Sequence, residues 1–101
     1  MYKVLKNEKL NENSYEMIVE APMVVNKAMP GQFVIVMGKS DSERIPLTIY
    51  DYDKKKGLLH LIYQVVGGST LELSKIKDEL YGVVGPLGNP NEIYMIKMEI
   101  N

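Results

Sequence analysis

The sequence of 101 residues contains no cysteine, no tryptophan and a single histidine. Without cysteine the chain forms no disulfide, and it offers no thiolate ligand for zinc or for an iron–sulfur cluster. One histidine leaves few groups for conventional acid–base chemistry, and His60 itself lies among apolar residues. We therefore expect neither a catalytic residue nor a metal site in this segment.

A dominant charge and a long apolar run are also lacking. The net charge is −1 with both signs interspersed, which is not the electrostatic footprint of a nucleic-acid-binding protein. No apolar run approaches the roughly 20 residues that span a bilayer, and the N-terminus lacks the hydrophobic region of a signal peptide. We expect a soluble, cytoplasmic protein with one domain, since a chain of this length builds one modest core.

Short segments of alternating apolar and polar residues indicate half-buried strands. Strands are predicted at 1–10, 14–21, 32–37, 44–52, 58–66, 79–84 and 92–100. The clearest of them, 58–66, places Leu59, Leu61, Tyr63 and Val65 on one face. Six or seven strands joined by tight turns predict an all-β fold, a closed antiparallel Greek-key barrel, because closure removes exposed sheet edges.

One short helix is predicted at 69–77. Leu73, Ile76 and Leu80 fit its apolar stripe, and Ser69 with Glu72 three residues later matches a capping box. The segments 23–29 and 85–90 are predicted to be irregular connections, the second of them a rigid loop.

The segment Arg44–Ile49 combines groups suited to an elongated ligand. The Arg44 guanidinium is a planar fork of donors that matches phosphate. Pro46 removes a backbone donor, so this strand is open on one side. Leu47 and Ile49 are predicted to supply a flat apolar surface, and Thr48 supplies one hydroxyl. A surface arginine paired with a neighbouring carboxylate, Asp41 or Glu43, is the alternative interpretation.

The segment Gly67–Thr70 is a second candidate contact. A glycine pair lets the backbone approach a ligand closely, and it runs into a predicted helix start, where backbone N–H groups attract anions. In the alternative interpretation Ser69 and Glu72 cap the helix themselves, and the Glu72 carboxylate repels an added anion. Together the two segments favour a ligand with a phosphate part and a flat part.

Four segments in this order, Pro30–Val34, Arg44–Ile49, Gln64–Thr70 and Gly85–Gly88, carry a family resemblance over residues 1–92. They resemble the flavin-binding barrel of the ferredoxin–NADP reductase superfamily. Within it, they are most similar to the branch of the dihydroorotate dehydrogenase electron-transfer subunit and the small flavoprotein subunit of NADH-dependent ferredoxin–NADP oxidoreductase.

The resemblance implies FAD as the cofactor. It places Arg44 at the pyrophosphate, Pro46 to Ile49 along the isoalloxazine and ribityl chain, and the Thr48 hydroxyl near flavin N5. The backbone of Gln64 to Val66 is implied to hold the pyrimidine edge of the ring. The implied FAD-binding residues are Arg44, Pro46, Leu47, Thr48, Ile49, Gln64, Val65, Val66, Gly67, Gly68, Ser69 and Thr70. Many relatives carry an aromatic residue in place of Leu47 and a serine in place of Thr48.

The full family subunit continues with an NAD(P)-binding domain and a cysteine-rich segment that holds a two-iron cluster, and neither pattern occurs in this sequence. The resemblance thus implies the FAD-binding domain, residues 1–101, of an NAD(P)H-linked oxidoreductase subunit. Electrons would pass between a nicotinamide nucleotide and an iron–sulfur or ferredoxin partner. Its implied partners are an NAD(P)-binding domain and a larger subunit. We do not expect the chain alone to turn over.

Two other functions remain open from the sequence. One is a cofactor-free β-barrel interaction module, since fold does not imply function, and the other is an FMN-binding reductase barrel. A homodimer through the predicted last strand is also expected, because Tyr94, Ile96, Met98 and Ile100 would form one apolar face beside an unpaired edge.

Overall fold

A computed structural model describes residues 1–89 of the chain, which contain seven strands and two short helices. The elements in chain order are β1 Tyr2–Lys9, β2 Ser14–Glu20, α1 Pro22–Val25, β3 Phe33–Met37, β4 Ile45–Asp53, β5 Leu58–Gln64, α2 Gly68–Ser74, β6 Glu79–Leu80 and β7 Gly82–Leu87. No helix among the described residues is long and apolar enough to cross a membrane. The predicted strand at 92–100, and the homodimer expected through it, lie outside the described residues.

All strand pairs are antiparallel, and the strand order is β6-β1-β2-β5-β4-β3-β7. The meander β3-β4-β5 with β2 beside β5 is a Greek key. The chain from Glu79 to Leu87 pairs first with β1 and then with β3, on opposite ends of this order. These seven strands therefore form a nearly closed barrel, and the predicted all-β barrel is confirmed.

The barrel interior is filled by alternate residues of the strands. Met17 on β2 lies opposite Leu61 on β5, and Val34 on β3 lies opposite Leu47 on β4. The core contains Val4, Met17, Val19, Val34, Val36, Leu47, Ile49, Leu59, Leu61, Tyr63, Leu73, Leu80 and Val83. Of the four residues predicted to share one face of the 58–66 strand, Leu59, Leu61 and Tyr63 are buried in the core, and Val65 is partly buried against it.

Helix α1 occupies a segment that the sequence predicted to be an irregular connection. Pro22 stands in its first turn, where the missing N–H of proline costs no helical hydrogen bond. Val24 and Val25 are buried, and the helix packs against β5 and β7. This single turn is held by burial of its two valines.

Helix α2 begins at Gly68 and ends at Ser74, so the predicted bounds 69–77 were too late and too long. The predicted capping box of Ser69 and Glu72 is wrong. The Thr70 hydroxyl instead accepts hydrogen bonds from the backbone N–H groups of Val66 at 2.9 Å and of Gly67 at 3.1 Å.

The buried side chain of Asn7 on β1 fastens the end of α2 to the barrel. Its Nδ2 donates to the carbonyl oxygens of Leu73 at 2.8 Å and Ile76 at 2.9 Å, in the segment where the helix ends and intrahelical donors run out. Leu80, predicted as part of the helix stripe, belongs to β6 and pairs with Tyr2. The helix therefore stops where the chain must turn back to join β1.

The segment predicted as a rigid loop, 85–90, begins within a strand. β7 extends through Leu87, which lies opposite Phe33. The peptide bond between Gly85 and Pro86 is cis. A Cβ atom on Gly85, whose φ is +152°, would lie 2.9 Å from Cγ1 of Val34, so glycine is needed for the close approach of β7 to β3.

Candidate functional site

Two segments about twenty residues apart in sequence form the two walls of one groove with a volume of about 250 Å³. Glu43 to Pro46 form one wall, and Val66 to Thr70 form the other. The ladder between β4 and β5 ends at the pair Thr48 and Ile62, and Pro46 has no N–H with which to continue it. The strand ends therefore separate, and the groove opens between them. The residues that the sequence predicted to contact phosphate, Arg44 and Gly67–Thr70, all line this groove.

Arg44 lies exposed in the first wall. It is the single arginine of the chain. Within residues 1–89 the two ion pairs are those of Glu16, with Lys6 and with His60. The alternative interpretation, in which Arg44 pairs with Asp41 or Glu43, is therefore not what the structure contains. The guanidinium keeps its donors available to a ligand.

The opposite wall contains two glycines that neither conformation nor packing requires. A Cβ atom added at Gly67 or Gly68 meets no atom within 4 Å. Gly67 has an extended φ of −173°, which other residues adopt readily, and neither glycine is among those with positive φ. The missing side chains leave room beside the backbone, as close approach of a ligand demands.

The backbone N–H groups at the start of this wall are already used within the domain. Val65 N donates to Asn13 O at 3.0 Å, and the N–H groups of Val66 and Gly67 both donate to Thr70 Oγ1. The implied contact of the Gln64–Val66 backbone with a ring edge stays a prediction, with the N–H groups of Val65 and Val66 engaged inside the domain. Carbonyl oxygens remain as the backbone groups that this strand end offers to a ligand, and Gln64 is exposed there.

One hydrogen bond between side chains connects the walls, and a second lies just outside the groove. The Ser69 hydroxyl donates to Oε2 of Glu43, and the Ser42 hydroxyl lies 3.3 Å from Oε1 of Glu72, to which it donates. The hydroxyl of Ser69, one of the implied FAD-binding residues, is thus committed to a carboxylate. The sequence does not reveal this role of Glu43, because a contact between residues 43 and 69 leaves no local pattern.

Alternation along β4 separates the predicted ring-binding residues into two sets. Pro46 and Thr48 are exposed on the outer face, whereas Leu47 is 2% and Ile49 is 1% exposed. The prediction that Leu47 and Ile49 supply a flat apolar surface is wrong, because both side chains fill the core. Only their backbone atoms are available outside the barrel.

A flat apolar surface exists nevertheless on the outer face of the neighbouring strands. Thr48 lies between Phe33 on β3 and Ile62 on β5, and Pro46 lies opposite Ile35. The flanking side chains are half-buried, so each presents part of its surface outward. Phe33 falls within the Pro30–Val34 motif, and period-two alternation placed Ile62 opposite in face to Leu61, so both signals were present in the sequence.

A polar cluster lies on the outer face beyond this apolar surface. Glu16 accepts a 2.8 Å hydrogen bond from Lys6 Nζ, which raises the pKa of the lysine. The half-buried His60 has its Nδ1 3.8 Å from Glu16 and its ring edge-on to Tyr50. Residues 1–89 contain no group of His, Asp and Glu side chains suited to hold a metal ion.

Comparison with known proteins gives relatives over most of this chain. A Clostridium beijerinckii protein known only as an uncharacterized protein of the adh 3′ region is 44% identical over 94 residues, which cover 91% of this chain and 32% of that protein. The dihydroorotate dehydrogenase B (NAD(+)) electron transfer subunit homolog of Thermotoga maritima is 42% identical over 92 residues, or 89% of this chain and 33% of the relative. No family model matches the chain.

A solved structure shares the fold. It is the structure of an NADH-dependent reduced ferredoxin–NADP oxidoreductase, described for its insight into flavin-based electron bifurcation. One of its chains matches with a TM-score of 0.82 and 39% identity, over 89% of this chain and 33% of that one. The chain thus spans about a third of the length of these relatives. The resemblance predicted from four sequence motifs is confirmed.

Proposed function

We propose that this chain is the FAD-binding domain of an oxidoreductase subunit that transfers electrons. It is homologous to dihydroorotate dehydrogenase B electron transfer subunits over about a third of their length. The observation that carries the proposal is the groove between Arg44 and the turn Gly67–Thr70. It joins a guanidinium that has no ion pair within residues 1–89 and a side-chain-free backbone beside an exposed hydroxyl and a flat apolar surface. These are the groups that a flavin with a phosphate tail requires.

Each part of such a ligand has a matching group in the domain. Arg44 would hold a phosphate by charge-assisted hydrogen bonds, with Gly67 and Gly68 giving it space. Pro46, Phe33 and Ile62 would contact the ring, and the Thr48 hydroxyl between them either donates or accepts a hydrogen bond.

The remaining predicted contacts would be made by backbone atoms and not by side chains. Leu47 and Ile49 would act through main-chain atoms, and Gln64, Val65 and Val66 through carbonyl oxygens. Ser69 and Thr70 would shape the turn. When bound, the flavin supplies the one- and two-electron chemistry, whereas the protein supplies orientation and electrostatics.

The proposed electron donor, electron acceptor and partner subunits are inferred from the homologues. The electron donor would be a nicotinamide nucleotide, and the acceptor an iron–sulfur or ferredoxin partner, with the nucleotide-binding domain and a larger subunit as neighbours. Participation in electron bifurcation is proposed only for a complete assembly of this kind. A cytoplasmic location and a single domain over residues 1–101 belong to the same proposal.

Titration of FAD into the purified chain, followed by quenching of flavin fluorescence, tests the proposal. Arg44→Ala should weaken FAD binding roughly tenfold to a hundredfold, since a hydrogen bond to a charged group contributes about 1.5–3 kcal/mol. Lys55→Ala, in the β4–β5 turn away from the groove, serves as the matched control for loss of one positive charge. Equal affinities of wild type and Arg44→Ala would remove Arg44 from the site.

A chain that binds neither FAD nor FMN at millimolar concentration would contradict the proposal and favour the cofactor-free interaction module. A chain that retains FMN in preference to FAD would favour the FMN-binding barrel. Mass spectrometry of the flavin released from the purified chain distinguishes these two cofactors.

A further inference from the structure

The groove contains a carboxylate that a simple phosphate site would not need. Among the lining residues that lie within 1–89, Glu43 is the one acidic side chain and Arg44 the one basic side chain. The two formal charges therefore cancel. A phosphate that reaches Arg44 is attracted by the guanidinium and repelled by the Glu43 carboxylate. The charge on the phosphate therefore sets the strength of the repulsion.

The position of the Glu43 carboxylate is fixed from the opposite wall. Ser69 donates its hydroxyl to Oε2 of Glu43, so the carboxylate reaches from the Arg44 wall to the wall of the glycine turn. Turning it out to solvent would break that hydrogen bond. Glu72, the nearest comparable residue, instead accepts from Ser42 and lines a smaller adjoining cavity, not the groove.

The flavin nucleotides differ in how they carry charge. A phosphate monoester holds a charge of about −1.5 to −2 on one phosphorus at pH 7. A dinucleotide carries one negative charge on each of two phosphorus atoms, and it can place the second one farther along the groove. Next to a fixed carboxylate the monoester therefore suffers more repulsion than the dinucleotide.

We propose that Glu43 is a specificity-determining residue, which makes the groove favour a dinucleotide flavin over a mononucleotide flavin. This inference rests on the proposed function and deepens it, because it names the residue that makes the groove select a dinucleotide. Glu43 acts by excluding the doubly charged monoester, while Arg44 attracts both.

Three probes and three proteins test the inference. FAD, FMN and riboflavin are titrated into wild type, Glu43→Gln and the matched control Glu72→Gln, with dissociation constants from fluorescence quenching. Glutamine at position 43 keeps an oxygen that accepts the Ser69 hydroxyl, so the wall contact survives. Riboflavin has no phosphate and reports on ring contacts alone.

Wild type should bind FAD more tightly than FMN. Glu43→Gln should improve FMN affinity about three- to fivefold, the size expected for one partly exposed charge pair. FAD affinity should change less than about twofold, riboflavin affinity should not change, and Glu72→Gln should match wild type for all three probes.

Equal gains for FMN and FAD in Glu43→Gln, or no gain for either, would overturn the inference while leaving the proposed function intact. The same change in Glu72→Gln would also overturn it, since a general charge effect would then explain the result. Failure of all three flavins to bind any of the proteins would overturn the proposed function and the inference with it.

Discussion

The phenol of Tyr63 donates a 2.6 Å hydrogen bond to Oδ1 of Asn7 in the interior of the barrel. Asn7 in turn donates to the carbonyl oxygens of Leu73 and Ile76. The network thus joins β5, β1 and the end of α2, the helix whose first turn forms a wall of the groove. Burial raises the pKa of Tyr63 to about 12.

Tyr63→Phe should destabilise the domain by about 1–2 kcal/mol at pH 7, because Oδ1 of Asn7 is left buried without a donor. The raised pKa of Tyr63 means that the folded state keeps a proton that the unfolded chain loses above about pH 10. The stability that Tyr63 contributes is therefore fully present below pH 10 and is lost as the pH rises towards 12. The difference between wild type and variant should shrink over this range.

Urea unfolding from pH 7 to 11.5 measures this difference. Tyr81→Phe, at a tyrosine that is 47% exposed, controls for removal of a phenol from the surface. A constant gap between wild type and Tyr63→Phe across the whole range would show that the phenol does not titrate differently in the two states.

Gly68→Ala should affect ligand binding without destabilising the fold. The added Cβ meets no atom within 4 Å, and alanine suits a helix better than glycine by about 0.5–1 kcal/mol. We expect unchanged or higher thermal stability. FAD affinity should fall roughly fivefold or more, because a methyl group in a filled groove costs about 1–3 kcal/mol.

Riboflavin binding to the same variant is the internal control, since it lacks the phosphates that would approach Gly68. Undiminished FAD affinity in a stable Gly68→Ala protein would show that the phosphate part lies elsewhere.

Thr70→Val should loosen the turn that forms the second wall. The variant keeps the side-chain shape but removes the oxygen that accepts from the N–H groups of Val66 and Gly67. Water can reach these groups, so the loss of stability should be about 0.5–1.5 kcal/mol. FAD affinity should also fall, and Thr70→Ser should retain both properties. Calorimetric Tm values and FAD titration check this. Equal stability and equal FAD affinity of the valine and serine variants would show that the hydroxyl does not stabilise the turn.

The strands were predictable because alternation is a local signal, and Leu59, Leu61 and Tyr63 face inward as the pattern indicates. The helices were less predictable. One turn at Pro22–Val25 is too short to display a helical period, and it depends on burial against β5 and β7. The end of α2 depends on Asn7, more than sixty residues away in sequence, so the helical pattern alone extended it too far.

For the candidate site, residue types identified Arg44 and the turn Gly67–Thr70, and their juxtaposition followed from the family resemblance. The sequence did not reveal that Ser69 is bound to Glu43, because contacts between distant segments have no local signature. The error at Leu47 and Ile49 has a simpler cause. The proline-containing strand was assumed to present its apolar residues outward, whereas the barrel core required them inside.

The closure of the barrel by residues 79–87 has a consequence for synthesis of the chain. The hairpins β1-β2, β3-β4 and β4-β5 pair neighbours in sequence and can form as soon as each has emerged. The outer edges of β1 and β3 wait for β6 and β7, the last elements among the described residues to be translated. Until then both edges are open to other strands, so a nascent chain that stalls before residue 79 would be a target for chaperones or for misassembly.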